Sequence, residues 1–162
     1  MKGRLRQVRG ALRSDVFWHA ALVVYVLLVY GHSLIPAEIS SQESGAVLEF
    51  LRRMSSAVHL PGDMLTEHIV RKTAHFLEYM GMGALLYLNA RIMVRQRIAS
   101  FQSMAAMAIW LPFLDETIQL FVRGRSGQIS DVWLDMAGMW TGIAVMWYWR
   151  RAWEMRNRRR LR

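Results

Sequence analysis

Three short clusters of charged and polar residues in this chain have the types and spacing that acid–base or binding chemistry needs. The first cluster comprises Arg71, Lys72, His75, Glu78 and Tyr79. Arg71, His75 and Tyr79 follow one another at four-residue intervals, and Glu78 lies three residues after His75, so all can share one broad helical face. A histidine that is held beside a carboxylate can act as a general acid or base.

The second cluster comprises Asp115, Glu116 and Gln119. Gln119 lies one helical turn from both acids, so the three side chains can meet on one face. Pro112 precedes them and predicts a kink in the helix, because proline removes a backbone donor.

The third cluster lies in a short glycine-bearing loop and in the helix start that follows it. Its ionic and hydroxyl members are Arg123, Arg125, Ser126, Asp131 and Asp135. Asp131 and Asp135 share a face with Gly138 and Gly142. This spacing predicts a helix face that is acidic at its start and carries small residues farther along. Small residues allow a neighbouring helix to approach closely.

Four apolar segments position these clusters: 16–35, 69–89, 103–122 and 131–149. Each has about the 20 residues that a membrane-spanning helix needs. The chain is therefore predicted to be all-α, an integral membrane four-helix bundle between a basic arm (1–15) and a basic tail (150–162). The first segment is too long for a signal peptide and lacks a small-residue cleavage site, so we expect an uncleaved span.

The connection from Pro36 to His68 contains a further helical pattern. Val47, Leu51, Met54 and Val58 fall on one face of it, which favours an amphipathic helix lying in the membrane interface. A helix packed over the mouth of the bundle fits the same pattern.

Composition and charge restrict the class of protein further. The chain has 162 residues, is 54% hydrophobic and contains no cysteine, which excludes disulfides, thiolate metal sites and thiol catalysis. Its net charge is +9, but 15 of the 21 Lys and Arg lie in the arm, the tail and the turn between spans 2 and 3. By the positive-inside rule both termini are cytoplasmic in a multi-pass protein of the cell membrane, and no nucleic-acid partner is needed to explain the charge.

The clusters carry a resemblance to the VanZ-like family, which is named for low-level teicoplanin resistance. The resemblance rests on Arg71-Lys72-x-x-His75-Phe76-x-Glu78-Tyr79, on Asp115-Glu116-x-x-Gln119, and on Gly124-Arg125-Ser126-Gly127 followed by Asp131, Asp135 and Gly138. It covers about residues 20–148, and Met80-Gly81-Met82 is only a loose hydrophobic match. It implies a four-helix membrane bundle but no settled reaction.

Two functions from different classes remain open. One is a non-enzymatic factor that binds an envelope amphiphile at the outer leaflet, with Arg71, Lys72, Arg123 and Arg125 holding a phosphate or carboxylate. The resemblance links this factor to teicoplanin, which is itself lipidated; its partners would be membrane lipids and a lipid-linked envelope precursor or lipoglycopeptide. The other is a membrane enzyme that modifies a lipid-linked substrate, with His75 as acid or base and Asp115 or Glu116 as its partner.

A purely structural interpretation is also open. In it the arginines Arg123 and Arg125 pair with Asp115, Asp131 or Asp135 and fasten the helix ends together. The same competition by arginine, and the lack of a histidine pair at helical spacing, lead us to predict no metal and no other cofactor, although histidine with carboxylates suits Zn²⁺.

Overall fold

The computed structural model describes the backbone of residues 2–57, 66–96 and 101–160 and the side chains of 15–53, 66–96 and 101–159. The described chain forms five α-helices: α1 (Lys2–Ser33), α2 (Ala37–Ala57), α3 (Glu67–Arg95), α4 (Phe101–Gln119) and α5 (Ile129–Arg160). The predicted all-α class is confirmed.

The helix bounds differ from the predicted segments mainly at the basic ends. α1 continues back through the predicted arm, and α5 continues through most of the predicted tail. α4 ends at Gln119, three residues before the predicted end of its segment, and runs as one helix across Pro112. Val58 and His59 lie outside the described residues, as does the side chain of Met54.

The interface between α3 and α5 is the most extensive in the bundle. Glycines make it close: a Cβ atom at Gly142 would overlap the Met80 carbonyl oxygen, and one at Gly83 would overlap that of Met139. Gly138 lies in the same way against the Phe76 carbonyl. The predicted close approach at Gly138 and Gly142 is therefore present, and Gly83 adds to it from the other helix.

Helices α1 and α4 pack around this pair through side-chain hydrogen bonds to backbone carbonyls. The Tyr25 hydroxyl donates to the Glu78 carbonyl at 3.1 Å, and the Tyr30 hydroxyl donates to the Leu111 carbonyl at 2.9 Å. The buried Asn89 amide donates to the Trp18 carbonyl at 3.0 Å. These contacts fix the position of α1 along the axis of the bundle.

One helical segment of the described chain, Asp15–Ser33, is long and apolar enough to cross a membrane. Charged and polar residues interrupt the apolar stretches of α3, α4 and α5. The four-span arrangement stays a prediction.

Helix α2 combines features of both sequence interpretations. Ser40 near its start is buried, and Ala37 and Ser40 line a pocket at the end of the bundle. Val47 and Leu51 remain exposed, together with Phe50. The first turns thus cover part of the bundle mouth, while apolar side chains farther along the helix are exposed.

Ion pairs join the helices at the opposite, basic end. Arg95 pairs with Asp15 at 2.8 Å, linking α3 to α1. Glu154 accepts from Arg150 at 3.2 Å and lies 3.7 Å from Arg91. The two acids at this end are therefore both paired with arginine.

The glycine contacts between α3 and α5 lead to a stability prediction. We expect Gly142→Ala to destabilise the detergent-solubilised protein by about 1–3 kcal/mol, because the added methyl group must push the Met80 backbone away. Gly31→Ala is the matched control, since no atom lies within 4 Å of a Cβ at that position. Thermal unfolding followed by circular dichroism measures both, and equal melting temperatures would contradict the close-contact interpretation.

Candidate functional site

The three clusters meet at one end of the bundle because the helices that carry them alternate in direction. α3 and α5 begin at this end, α4 ends there, and the turn from α1 to α2 lies beside them. Thr66 caps the start of α3, with its Oγ1 accepting the Ile69 amide at 3.3 Å. A side-chain cap of this kind satisfies one of the free amides at a helix start and fixes where the helix begins.

The loop between α4 and α5 folds over this end of the bundle. Gly124 has a φ of +74°, a conformation that suits glycine, and Ala37 lies against it. The Ala37 amide donates to the Arg123 carbonyl at 3.3 Å, so the loop is attached to the start of α2. Gly127 lies against the Glu116 carbonyl, where a Cβ atom would leave no room.

Arg125 connects the loop to α1 and α4. Its Nε donates to the Ile35 carbonyl at 2.9 Å, its Nη2 to the His32 carbonyl at 3.4 Å, and its Nη1 to Gln119 Oε1 at 3.3 Å. Burial and the nearby Arg71 charge lower the pKa of Arg125, but a guanidinium remains protonated at neutral pH. Its positive charge is therefore held at the bundle end by neutral acceptors.

A polar pocket of about 90 Å³ lies between these elements. The pocket is lined by residues of α2, α3, α4, α5 and the α4–α5 loop: Ala37, Ser40, His68, Arg71, Lys72, His75, Glu116, Gln119, Gly124, Arg125, Ser126, Gln128, Asp131, Leu134 and Asp135.

His75, Asp115, Glu116 and Asp135 form what we term the carboxylate cluster, at the floor of the pocket and just beneath it. Each offers one ligand atom, and these atoms all lie within 4.8 Å of one another. Asp115 and Asp135 are fully buried, and 4% of Glu116 and 12% of the His75 side chain are exposed. Among the described residues, no lysine or arginine forms an ion pair with the three acids.

Neutral donors hold two of the three carboxylates from outside. Ser33 Oγ donates to Asp115 Oδ2 at 2.9 Å, and the Gln119 amide donates to Asp115 Oδ2 at 3.4 Å and to Glu116 Oε1 at 3.0 Å. The Gln128 backbone amide donates to Glu116 Oε2 at 3.1 Å. The positions of Asp115 and Glu116 are thus fixed by α1, α4 and the loop.

Asp135 differs from the other two acids. Both of its carboxylate oxygens lack a hydrogen-bond partner within the described chain, as does His75 Nδ1. His75 Nδ1 lies 3.8 Å from Asp135 Oδ1, which is too long for a hydrogen bond. A buried polar group without a partner is costly, so this pair is the least satisfied part of the site.

Ion pairs at this end form around the cluster rather than in it. Lys72 Nζ lies 2.7 Å from Asp131 Oδ1, and His32 lies 3.3 Å from Glu78 and 3.4 Å from Glu43. The ion-pair network that the sequence left open is therefore only partly present. Its central contacts, from Arg123 or Arg125 to Asp115, Asp131 or Asp135, do not form in the described chain.

The structure brings most of the candidate residues to the pocket wall: Arg71, Lys72, His75, Glu116, Gln119, Arg125, Ser126, Asp131 and Asp135. The other four candidates lie elsewhere. Asp115 sits beneath the pocket, Glu78 faces His32, Tyr79 is buried in the hydrophobic core, and the Arg123 side chain is exposed outside the pocket.

Sequence reasoning missed several residues of the site. His68 lines the pocket and His32 pairs with Glu78 and Glu43, although the sequence analysis placed neither histidine in a cluster. Ser33 and Gln128 supply hydrogen bonds to the cluster. The one available signal was that His32 and Ser33 end the first apolar segment at the same level as the three clusters.

Residues 17–150 match the VanZ/LLP1 family, a stretch that includes all three clusters and the whole carboxylate cluster. No curated protein and no solved structure matches the chain significantly. With most of its length covered by the family match, the chain belongs to the VanZ/LLP1 family.

Proposed function

We propose that this VanZ/LLP1 protein is a four-span protein of the cell membrane that binds the anionic head of an envelope amphiphile at the outer leaflet. The observation that carries the proposal is the small polar pocket with Arg71, Lys72 and Arg125 in its wall. The small size and the polar wall of this pocket suit a phosphate or carboxylate head better than a lipid chain.

The surface of the helices supports a membrane location. Large apolar side chains are exposed on every helix that would span, including Leu27 and Leu28 of α1, Trp110 of α4 and Val145 of α5. Soluble monomeric proteins rarely expose contiguous apolar surface of this extent. Lipid would cover these side chains.

The distribution of charge supports the orientation. In the sequence the basic excess lies in the arm, the tail and the turn between spans 2 and 3, whereas ten of the twelve acids fall in segments assigned to the opposite side. With the basic end in the cytoplasm, the pocket faces the outer leaflet.

Exposed apolar residues beside the pocket provide a surface for the hydrophobic chain of the amphiphile. Phe121 is 87% exposed and Ile129 is 79% exposed, one on each side of the loop that covers the site. Trp133, which follows Ile129 in α5, and Ile69, which precedes Arg71 in α3, are also exposed. An acyl or prenyl chain would lie against such residues while its head enters the pocket. Teicoplanin belongs to this class of ligand as a lipidated molecule, and the link to resistance is part of the proposal.

A second candidate function, a membrane enzyme acting on a lipid-linked substrate, is favoured by one observation. His75 and Glu116, two of the candidate acid–base residues, both line the pocket. A bound phosphate ester would therefore lie beside groups able to transfer protons.

The proposed topology is tested by single-cysteine labelling, which is clean because the chain contains no native cysteine. Gln42 in α2 and Gln96 after α3 are both exposed and lie at opposite ends of the bundle. We expect a membrane-impermeant maleimide to label Gln42→Cys in intact cells and Gln96→Cys only after the membrane is opened. The reverse pattern would contradict the orientation.

Headgroup binding is tested with farnesyl monophosphate and with farnesol, which has the same chain without the phosphate. We expect the detergent-solubilised protein to bind the phosphate at least about 10-fold more tightly than the alcohol, since charge-assisted hydrogen bonds are worth about 1.5–3 kcal/mol each. Lys72→Gln is expected to weaken phosphate binding about 10-fold. Isothermal titration calorimetry measures both differences.

Arg123→Gln is the matched control for this experiment, because it removes a positive charge at the same end but outside the pocket. Equal affinity for the two ligands, or equal losses from Lys72→Gln and Arg123→Gln, would contradict headgroup binding at this site. Release of inorganic phosphate during the titration, lost in His75→Gln, would instead identify the protein as the enzyme of the second candidate.

A further inference from the structure

We propose that the carboxylate cluster, His75, Asp115, Glu116 and Asp135, binds a divalent transition-metal cation. This departs from the expectation drawn from sequence, which predicted no metal. The four ligand atoms come from three helices and lie within 4.8 Å of one another.

The first observation is that three buried acids, 0–4% exposed, lie together without a lysine or arginine ion-pair partner in the described chain. Buried carboxylates are normally paired or coordinate a metal, since an isolated buried charge is very unfavourable. A divalent cation would supply two positive charges at the point where they are needed.

The hydrogen bonds to two of the acids come from donors outside the cluster. Ser33, Gln119 and the Gln128 amide hold Asp115 and Glu116 from outside the cluster. Hydrogen bonds from an outer shell orient the ligands of metal sites in this way. Asp135, fully buried and with both oxygens unpartnered, and His75 Nδ1 provide the remaining donor atoms facing the cluster.

The donor set indicates the class of cation. Carboxylates alone suit Mg²⁺, Ca²⁺ and Mn²⁺, whereas an imidazole nitrogen suits Zn²⁺ and neighbouring transition metals. One imidazole with three carboxylates therefore favours Zn²⁺ or Mn²⁺. Ligand atoms around such ions lie about 3–4 Å apart at bond lengths of about 2.0–2.2 Å, so the most distant pairs would approach one another by about 1–2 Å when the ion binds.

Arginine does not occupy the position of the cation. The sequence suggested that Arg123 and Arg125 would compete for these acids, but Arg125 donates to the Ile35 and His32 carbonyls and to Gln119. The Arg123 side chain is exposed and outside the pocket. The main objection to a metal is thereby removed.

The position of the site gives the cation a role that rests on the proposed headgroup binding. His75, Glu116 and Asp135 also line the polar pocket, so a cation held by them would lie beside an anionic head bound near Arg71 and Lys72. The existence of the cation site itself requires no lipid.

The test measures metal binding directly on tag-free, chelator-washed protein in detergent. Zn²⁺ and Mn²⁺ are added separately, free metal is removed by gel filtration, and bound metal is counted by plasma mass spectrometry. We expect about one ion of Zn²⁺ or Mn²⁺ per chain, and at least about a 10-fold loss of affinity in Asp135→Asn and His75→Gln. Glu154→Gln, which removes a carboxylate at the other end of α5, is the matched control and should bind like the wild type.

A spectroscopic measurement on the wild-type protein keeps the test decisive even if a variant does not fold. In Mn²⁺-loaded protein, electron spin echo spectroscopy should show coupling to an imidazole nitrogen. Failure of the wild type to retain either ion, or absence of the nitrogen coupling, would overturn the proposal. So would variants that bind as tightly as Glu154→Gln.

Repeating the farnesyl monophosphate titration in excess chelator separates the two proposals. Phosphate binding that persists without metal supports headgroup binding alone. Metal binding without any phosphate affinity supports the cation site and contradicts the proposed function.

Discussion

The rest of this structure depends on three carboxylates and an imidazole being gathered in a small buried volume at one end of the bundle. Such a group is unfavourable in a low-dielectric interior unless its charge is balanced. No lysine or arginine forms an ion pair with the three acids in the described surroundings of the cluster, where Lys72 pairs with Asp131 and Arg125 donates to neutral acceptors. We infer that the arrangement is maintained for binding, at some expense in stability.

Close packing makes this gathering achievable. Gly83, Gly138 and Gly142 let α3 and α5 approach until backbone meets backbone, which places His75 of one helix beside Asp135 of the other. Arg125 and the glycine loop then cover the site by attaching to the carbonyls at the end of α1. Neutral carbonyl acceptors leave the guanidinium charge free to act on whatever occupies the pocket.

Much of the site could be predicted because helical spacing reveals which residues share a face. The intervals in Arg71–Tyr79, Asp115–Gln119 and Asp131–Gly142 identified most of the residues that meet at the site and the close approach of glycine, although Glu78 and Tyr79 lie away from the pocket. Contacts between distant segments could not be read in this way. Ser33 and Asp115 are 82 residues apart, and no periodicity indicates that the end of α1 supplies a donor to α4.

Sequence reasoning also failed to predict the hydrogen-bond partners of Arg125. Opposite charges in neighbouring clusters suggested that Arg125 pairs with acids, whereas its donors meet the Ile35 and His32 carbonyls instead. The backbone carbonyls at a helix end have no partner within the helix and are strong hydrogen-bond acceptors. The amino-acid types in the sequence do not show which side chain will donate to them. The helix bounds were most uncertain at the basic ends, where α1 and α5 continue beyond their apolar segments.

The most direct test of the central claim is the melting temperature of Asp135→Asn in the presence of a chelator at neutral pH. If the cluster exists for binding, replacing a buried acid that has no hydrogen-bond partner leaves the metal-free protein as stable as the wild type or more stable. A melting temperature several degrees below that of the wild type under the same conditions would show that Asp135 is a structural partner, and would contradict the account.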